Sequence, residues 1–123
     1  MAAKTRLLVL ALAVVVVAAI VVGVWLYLSK PPAKKVLRVG TSPDFPPFEY
    51  IDEKGNIVGI DIDLVKALAK KIGYDDVEIV SIDFDGLIPA LLNNQIDVIA
   101  SGMTITEERA KVVAFTIPYW RAD

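Results

Sequence analysis

Residues 36–123 predict an α/β fold built on a largely parallel sheet. Three observations carry this. Short apolar runs of β type recur at VLRVG (36–40), VEIVSI (77–82) and IDVIA (96–100). Amphipathic stretches of helical period lie between them. Strand-like and helix-like segments therefore alternate, which is the pattern of an α/β layer.

The chain begins with something different. From Leu7 to Leu28 runs LLVLALAVVVVAAIVVGVWLYL, 22 residues without a charge. At about 1.5 Å per residue in a helix this reaches across a hydrocarbon core of about 30 Å. A cleaved signal peptide has a shorter apolar region followed by a small-x-small site. Here the run is long, ends in the interfacial residues Trp25 and Tyr27, and is followed by no A-x-A pattern. These features favour an uncleaved membrane anchor over 1–30. With no cysteine after the run, lipid attachment of the lipoprotein type is not available. Basic residues flank both ends, so the positive-inside count does not set the orientation. A long acidic domain after a first span is usually translocated, which places the body in the periplasm or outside the cell on a single-pass anchor.

SKPPAKK (29–35) contains a short linker at 31–35, stiffened by two prolines and kept wet by lysines. The first strand follows at 36–40. TSPDFPPFEY, with three prolines in ten residues, excludes helix and reads as a loop entering an edge strand. FEYIDEKGNIVGI (48–60) reads as a hairpin about the glycine of DEKGN. Asp61 or Asp63 is expected to cap a helix running to Ile72, in which Leu64, Leu68 and Ile72, with Val65 and Ala69 beside them, form one apolar stripe. Gly73 suits its end. After the strand at 77–82, a second helix opens at Asp85 or Gly86 and runs to Asn93, with Pro89 tolerated in its first turn. IDVIA is the third strand. A short helix from Thr106 to Lys111 leads into VVAFT (112–116), read as a fourth strand.

Composition removes several chemistries. The chain of 123 residues has no cysteine and no histidine, which excludes disulfides, thiolate catalysis and the commonest general base and zinc ligand. Residues 1–35 carry five basic groups and no acid; residues 36–123 carry eight basic groups and fifteen acids. An acidic body argues against a nucleic-acid partner. Asp83 and Asp85 lie two apart, but no further acid cluster or EF-hand spacing accompanies them, so no metal is expected. Nothing implies a cofactor.

Ligands of open α/β sheets bind beyond the carboxyl ends of the strands, where the loops 41–47, 83–86 and 101–106 fall. In SGMTITEER (101–109), Ser101 and Gly102 allow close approach of the backbone, and Thr104 or Thr106 can cap the next helix. That helix end can attract an anion. Arg109 then admits two readings: a surface ion pair with Glu107 or Glu108, or a bidentate clamp on a carboxylate aided by Thr104. Phe45 and Phe84 are either satellite core residues or two aromatic walls of a pocket. Asp44 either serves a turn or meets a cationic group. Asp61 and Asp63 read as caps.

Taken together, PFEY, GIDIDL, FDGLIPAL and SGMTITEER, in this order, resemble the extracellular solute-binding proteins of family three. These are the polar-amino-acid receptors of ABC importers, with a type II periplasmic-binding fold. The resemblance covers nearly all of 36–120. It implies that Arg109 grips the α-carboxylate of an amino acid and that Thr104 adds its hydroxyl and N–H. It further implies that Gly102 offers a carbonyl to the α-ammonium with Ser101 at its border. Phe45 and Phe84 would flank the side chain, and Ser42 would tune specificity. Members of the family are about twice as long in the soluble part. The expectation is therefore a fragment, the first lobe only, which binds far more weakly than a closed two-lobed protein. The implied partners are a small-molecule amino acid and ABC permease subunits. An extracellular sensor module of a signalling receptor is the alternative. An enzyme on this fold would need a catalytic set that the chain does not display.

Overall fold

The computed structural model describes residues 2–122. Contacts divide the chain into two units, 1–33 and 34–123.

In the first unit, α1 (Ala2–Leu28) is a single helix of 27 residues with no buried side chain. Its length, about 40 Å at 1.5 Å per residue, and its composition suffice to cross a membrane. The helix ends where Ser29 turns back on it: the Ser29 hydroxyl donates to the Trp25 carbonyl at 2.6 Å. Lys30 Nζ lies over the Tyr27 ring at 5.9 Å.

The second unit is organised on β1 (Val36–Thr41). It lies between β5 (Asp76–Ser81) and β6 (Val98–Ile99) in a parallel sheet of order β5-β1-β6. Val39 is the pivot, paired with Ile79 on one side and Val98 on the other. Side chains alternate across a strand, so β1 has two faces to cover. Leu37 and Val39 pack on Val65 and Ala69 of α2 (Ile60–Lys71), with Val77, Ile79 and Val98 completing that layer. Gly40 points the other way, where a Cβ would meet Leu87 and Ile96. Leu87 belongs to α3 (Phe84–Leu92). The two helices thus cover opposite faces, as the α/β prediction requires.

A second, antiparallel sheet of order β2-β3-β4 is formed by β2 (Asp44–Phe45), β3 (Glu49–Ile51) and β4 (Ile57–Val58). The hairpin between β3 and β4 is held by Asp52, whose Oδ1 accepts the N–H groups of Lys54 and Asn56 at 2.9 and 2.8 Å. A cis bond joins Pro46 to Pro47 in the turn between β2 and β3.

Three expectations are corrected. Of the expected α2 stripe, Val65 and Ala69 are buried and are joined by Ile62, whereas Leu68 and Ile72 are exposed. The smaller pair, Val65 and Ala69, lets the helix sit close to the sheet. Asp61 is not the cap: the helix starts at Ile60 after Gly59, and Asp61 is buried within its first turn. Residues 112–116 form no strand. The N–H of Lys111 is spent on the Glu107 carbonyl, and those of Val112 and Val113 on the Arg109 carbonyl. The segment therefore folds back on α4 (Glu107–Ala110).

Candidate functional site

The carboxyl ends of β1 and β6 emerge side by side because Gly40 and Ile99 are in register and Ala100 N–H donates to the Gly40 carbonyl. The loops that follow are therefore in contact. Ser42 N–H donates to Ser101 Oγ at 2.9 Å, with both residues buried. Gly102 adopts φ +50°, and a Cβ there would stand 3.0 Å from the Phe45 ring. Conformation and space both call for glycine.

Phe45 stacks on Phe48 with ring centroids 5.3 Å apart, and Trp120 meets Phe48 edge-on at the same distance. These rings, the turn from Gly102 to Ile105 and the segment from Phe115 to Trp120 line a cavity of about 430 Å³. Phe45, Gly102 and Thr104 thus share one cavity wall. Ser42, Ser101, Phe84 and Arg109 do not line it; Ser101 adjoins it through Gly102, and Arg109 through its bond to the Thr104 carbonyl.

Arg109 is held from two sides. Its Nη1 donates to the Thr104 carbonyl at 2.8 Å, and its guanidinium lies 5.3 Å from the centre of the Phe84 ring. A cation over an aromatic face is attracted by the ring quadrupole. Among the described residues the one ion pair is Arg38–Asp97, so Arg109 is not paired with Glu107 or Glu108. Of the two cap candidates Thr106 is the one used, its hydroxyl accepting from Arg109 N–H at 3.2 Å. Because α4 has only four residues, its dipole neither attracts an anion strongly nor opposes Arg109.

The structure adds a feature that sequence reasoning missed. Glu49 and Asp61 meet behind Gly102, each about 1% exposed. Asp61 Oδ2 accepts Gly102 N–H at 2.6 Å, and Glu49 Oε1 accepts from Ser101 Oγ at 3.1 Å. Burial, and then the Asp61 charge, raise the Glu49 carboxyl to about 8. The signal lay in PFEY and GIDIDL, whose acids sit among apolar residues, but each acid alone reads as a turn or cap. Tyr119 is raised as well, by partial burial and then by Asp61. Phe48 and Trp120 were also missed as cavity walls. Asp44 stands exposed in β2, and Asp83 precedes α3 without a side-chain capping bond. No group of three or more acids among the described residues could hold a metal ion.

A parallel sheet with helices on both faces, and loops gathered at its carboxyl edge around a cavity, is the architecture of the type II periplasmic-binding fold. Residues 37–123 match the model of the bacterial extracellular solute-binding proteins, family 3, and the chain belongs to that family. It is 52% identical over 90 residues to the arginine-binding extracellular protein ArtP of Bacillus subtilis, covering 73% of this chain and 34% of that protein. It is 43% identical over 86 residues to a probable histidine-binding protein of Neisseria gonorrhoeae, covering 70% and 32%. The chain thus spans about a third of the length of these curated relatives. Among solved structures, the arginine-bound form of domain 1 from TmArgBP of T. maritima superposes with a TM-score of 0.67 at 62% identity, over 69% of this chain and 67% of that one.

Proposed function

We propose that residues 36–123 form the first lobe of an amino-acid-binding domain, with residues 1–30 as a single-pass membrane anchor and 31–35 as a linker. The domain faces the periplasm or the cell exterior and passes its ligand to the permease subunits of an ABC importer. Arg109 takes the α-carboxylate through its guanidinium fork, and Thr104 adds its hydroxyl and N–H. The Gly102 carbonyl receives the α-ammonium, with Ser101 beside it. Phe45 and Phe84 border the ligand side chain, and Ser42 tunes its selection.

The observation that carries this reading is the state of Arg109. It is fixed by Thr104 and Phe84 beside an apolar cavity, yet most of its N–H groups find no partner among the described residues. An arginine fork so presented matches a carboxylate bidentately. Arginine is the first ligand to try, because relatives are arginine- and histidine-binding proteins and the body is acidic. The anchor reading is supported by the 27 exposed apolar-rich residues of α1.

Calorimetry on the full chain in detergent tests the reading. Arginine is expected to bind, and Arg109→Ala is expected to weaken binding by about 100-fold or more, as for loss of one partner of a hydrogen-bonded charge pair. The circular dichroism spectrum should not change. Equal affinity in the variant returns Arg109 to a structural role on Phe84.

A further inference from the structure

The buried pair Glu49–Asp61 is not used by the reading above, and its geometry carries a consequence. Glu49 comes from β3 and Asp61 from the first turn of α2. Each carboxyl has one oxygen engaged on the 101–102 turn: Asp61 Oδ2 with Gly102 N–H, Glu49 Oε1 with the Ser101 hydroxyl. Each has one oxygen, Glu49 Oε2 and Asp61 Oδ1, that is buried without a hydrogen-bond partner. Ionised carboxylates only accept hydrogen bonds, so two of them cannot satisfy each other. A single proton between the leftover oxygens turns two orphaned acceptors into a donor and an acceptor.

Among the described residues the surroundings supply no counter-charge. Asp44 of β2 adds further negative charge at Glu49. β4 contributes only Ile57 and Val58, and the turn itself only Ser101 and Gly102. Tyr119, from the carboxyl-terminal segment, brings its hydroxyl near Asp61 without a hydrogen bond to it, and it stays protonated. Neither lysine nor arginine is among the groups that bear on Glu49.

We infer that Glu49 and Asp61 share one proton and that the protonated pair is the positioning element of the Ser101–Gly102 turn, so that amino-acid binding at this turn requires the proton. The binding half of this statement rests on the proposed function. With the proton in place, Asp61 anchors Gly102 in its left-handed conformation, pressed against the Phe45 ring, and Glu49 aligns Ser101 and through it Ser42. Loss of the proton puts a second charge beside Asp61 in a site without a cation. The pair separates, water enters, and the turn loses both its anchors.

The test has two arms, both on the full chain in detergent micelles. In the first, without ligand, the Glu49 carboxyl is followed by carbon-13 NMR and the Gly102 amide by nitrogen-15 NMR from pH 5 to 9.5. The two signals are expected to move together with a midpoint near 8. Asp61→Asn, which removes the neighbouring charge while keeping an acceptor for Gly102, should bring the Glu49 midpoint down by at least one unit. A Glu49 midpoint below 6 in the unsubstituted chain, or a Gly102 signal that ignores the Glu49 titration, overturns the inference whether or not the variants fold. In the second arm, arginine affinity should fall about tenfold per pH unit above 8. Glu49→Ala should lose affinity at every pH. Glu49→Gln, whose amide donates to Asp61 while its carbonyl accepts from Ser101, should restore it and abolish the fall between pH 7 and 8.5. A Glu49→Gln profile parallel to that of the unsubstituted chain contradicts the inference. If no amino acid binds at any pH, the proposed function fails, and the first arm still decides the pair.

Discussion

The two ends of the parallel sheet treat their polar groups differently. At the amino end, Arg38 of β1 fills its fork. Nε and Nη2 donate to the two oxygens of Asp97 at 3.1 and 2.8 Å, and Nη1 donates to the carbonyls of Asn94 and Gln95. The backbone joins in, with Arg38 N–H on Asp97 Oδ2 and Asp97 N–H on the Arg38 carbonyl. At the carboxyl end, Thr41, Glu49 and Asp61 each keep a buried oxygen without a partner, and Arg109 holds one carbonyl. Unmade hydrogen bonds in buried places cost stability. One end is therefore spent on holding the chain together. The other leaves the Glu49 and Asp61 oxygens to each other and keeps the guanidinium of Arg109 in reserve, which is what a ligand needs to find.

The largest effect is expected from closing the space at the carboxyl end. Gly59 has φ +135°, and a Cβ on it would collide with the backbone carbonyls of Phe48 and Pro47. Those two carbonyls accept the N–H groups of Asp61 and Ile60, which tie the start of α2 to the turn before β3. Gly59→Ala should cost about 3 kcal/mol or more, combining an unfavourable conformation with a contact that the backbone cannot relieve. Gly55→Ala is the control. It also has positive φ, but nothing lies near its Cβ, so strain alone applies, at about 1 kcal/mol. Thermal unfolding followed by circular dichroism separates the two. Equal losses would mean that packing under the site contributes nothing.

The difference between the ends also governs what could be read in advance. β1, β5, β6, the hairpin, α2 and α3 follow from apolar period and turn residues, since those patterns are local. The ladder partner of a strand is not local, and 112–116 has the composition of a strand while its N–H groups are claimed by α4. Only one edge of the expected α2 stripe is used, for a related reason: the sheet accepts the smaller side chains of Val65 and Ala69, and Leu68 and Ile72 are left exposed. Of the three expected loops only 101–106 is loop throughout: α3 already begins at Phe84, ahead of the expected Asp85 or Gly86, and 41–47 holds the end of β1 and the short β2; a resemblance, not a pattern, assigned roles within them. Glu49 and Asp61 were not legible as a pair. Only the meeting of β3, α2 and the 101–102 turn makes two ordinary acids into one buried unit.

A smaller effect, with opposite signs at the two ends, is expected from pH. Asp97 is held below the ordinary aspartate value by hydrogen bonds from Arg38. Its contribution is present above about 3.8 and is lost as pH falls through its lower folded value. Glu49 is raised from about 4.5 to about 8. The folded chain holds that proton more tightly than the unfolded one, so its contribution is complete below about 4.5 and is lost as pH rises to about 8. The melting temperature should therefore climb from pH 2 to about 4.5 and decline towards 8. Glu49→Gln should remove the decline, and Asp97→Asn should flatten the climb without touching the decline. A decline that survives Glu49→Gln would place its source elsewhere.

The smallest effect is expected from Arg38→Lys. Lysine keeps the charge but offers a point in place of a planar fork, so at most part of the set on Asp97, Asn94 and Gln95 can be remade. Both partners of the ion pair are about a third or more exposed, and solvent screens what the charge alone contributes. A small fall in melting temperature should result, with no change in arginine affinity. The second half of that expectation is the sharper one, because β1 runs from Arg38 to Thr41 and so connects the two ends. Between them lie Val39, fully buried, and Gly40, packed under Ile96 and Leu87. Arg38→Lys changes groups at the partly exposed amino edge and leaves the packing of Val39 and Gly40 as it is, so no displacement is generated to reach the loop at the other end. If Arg38→Lys weakens binding as much as it lowers stability, the strand transmits after all, and the two ends are one cooperative element.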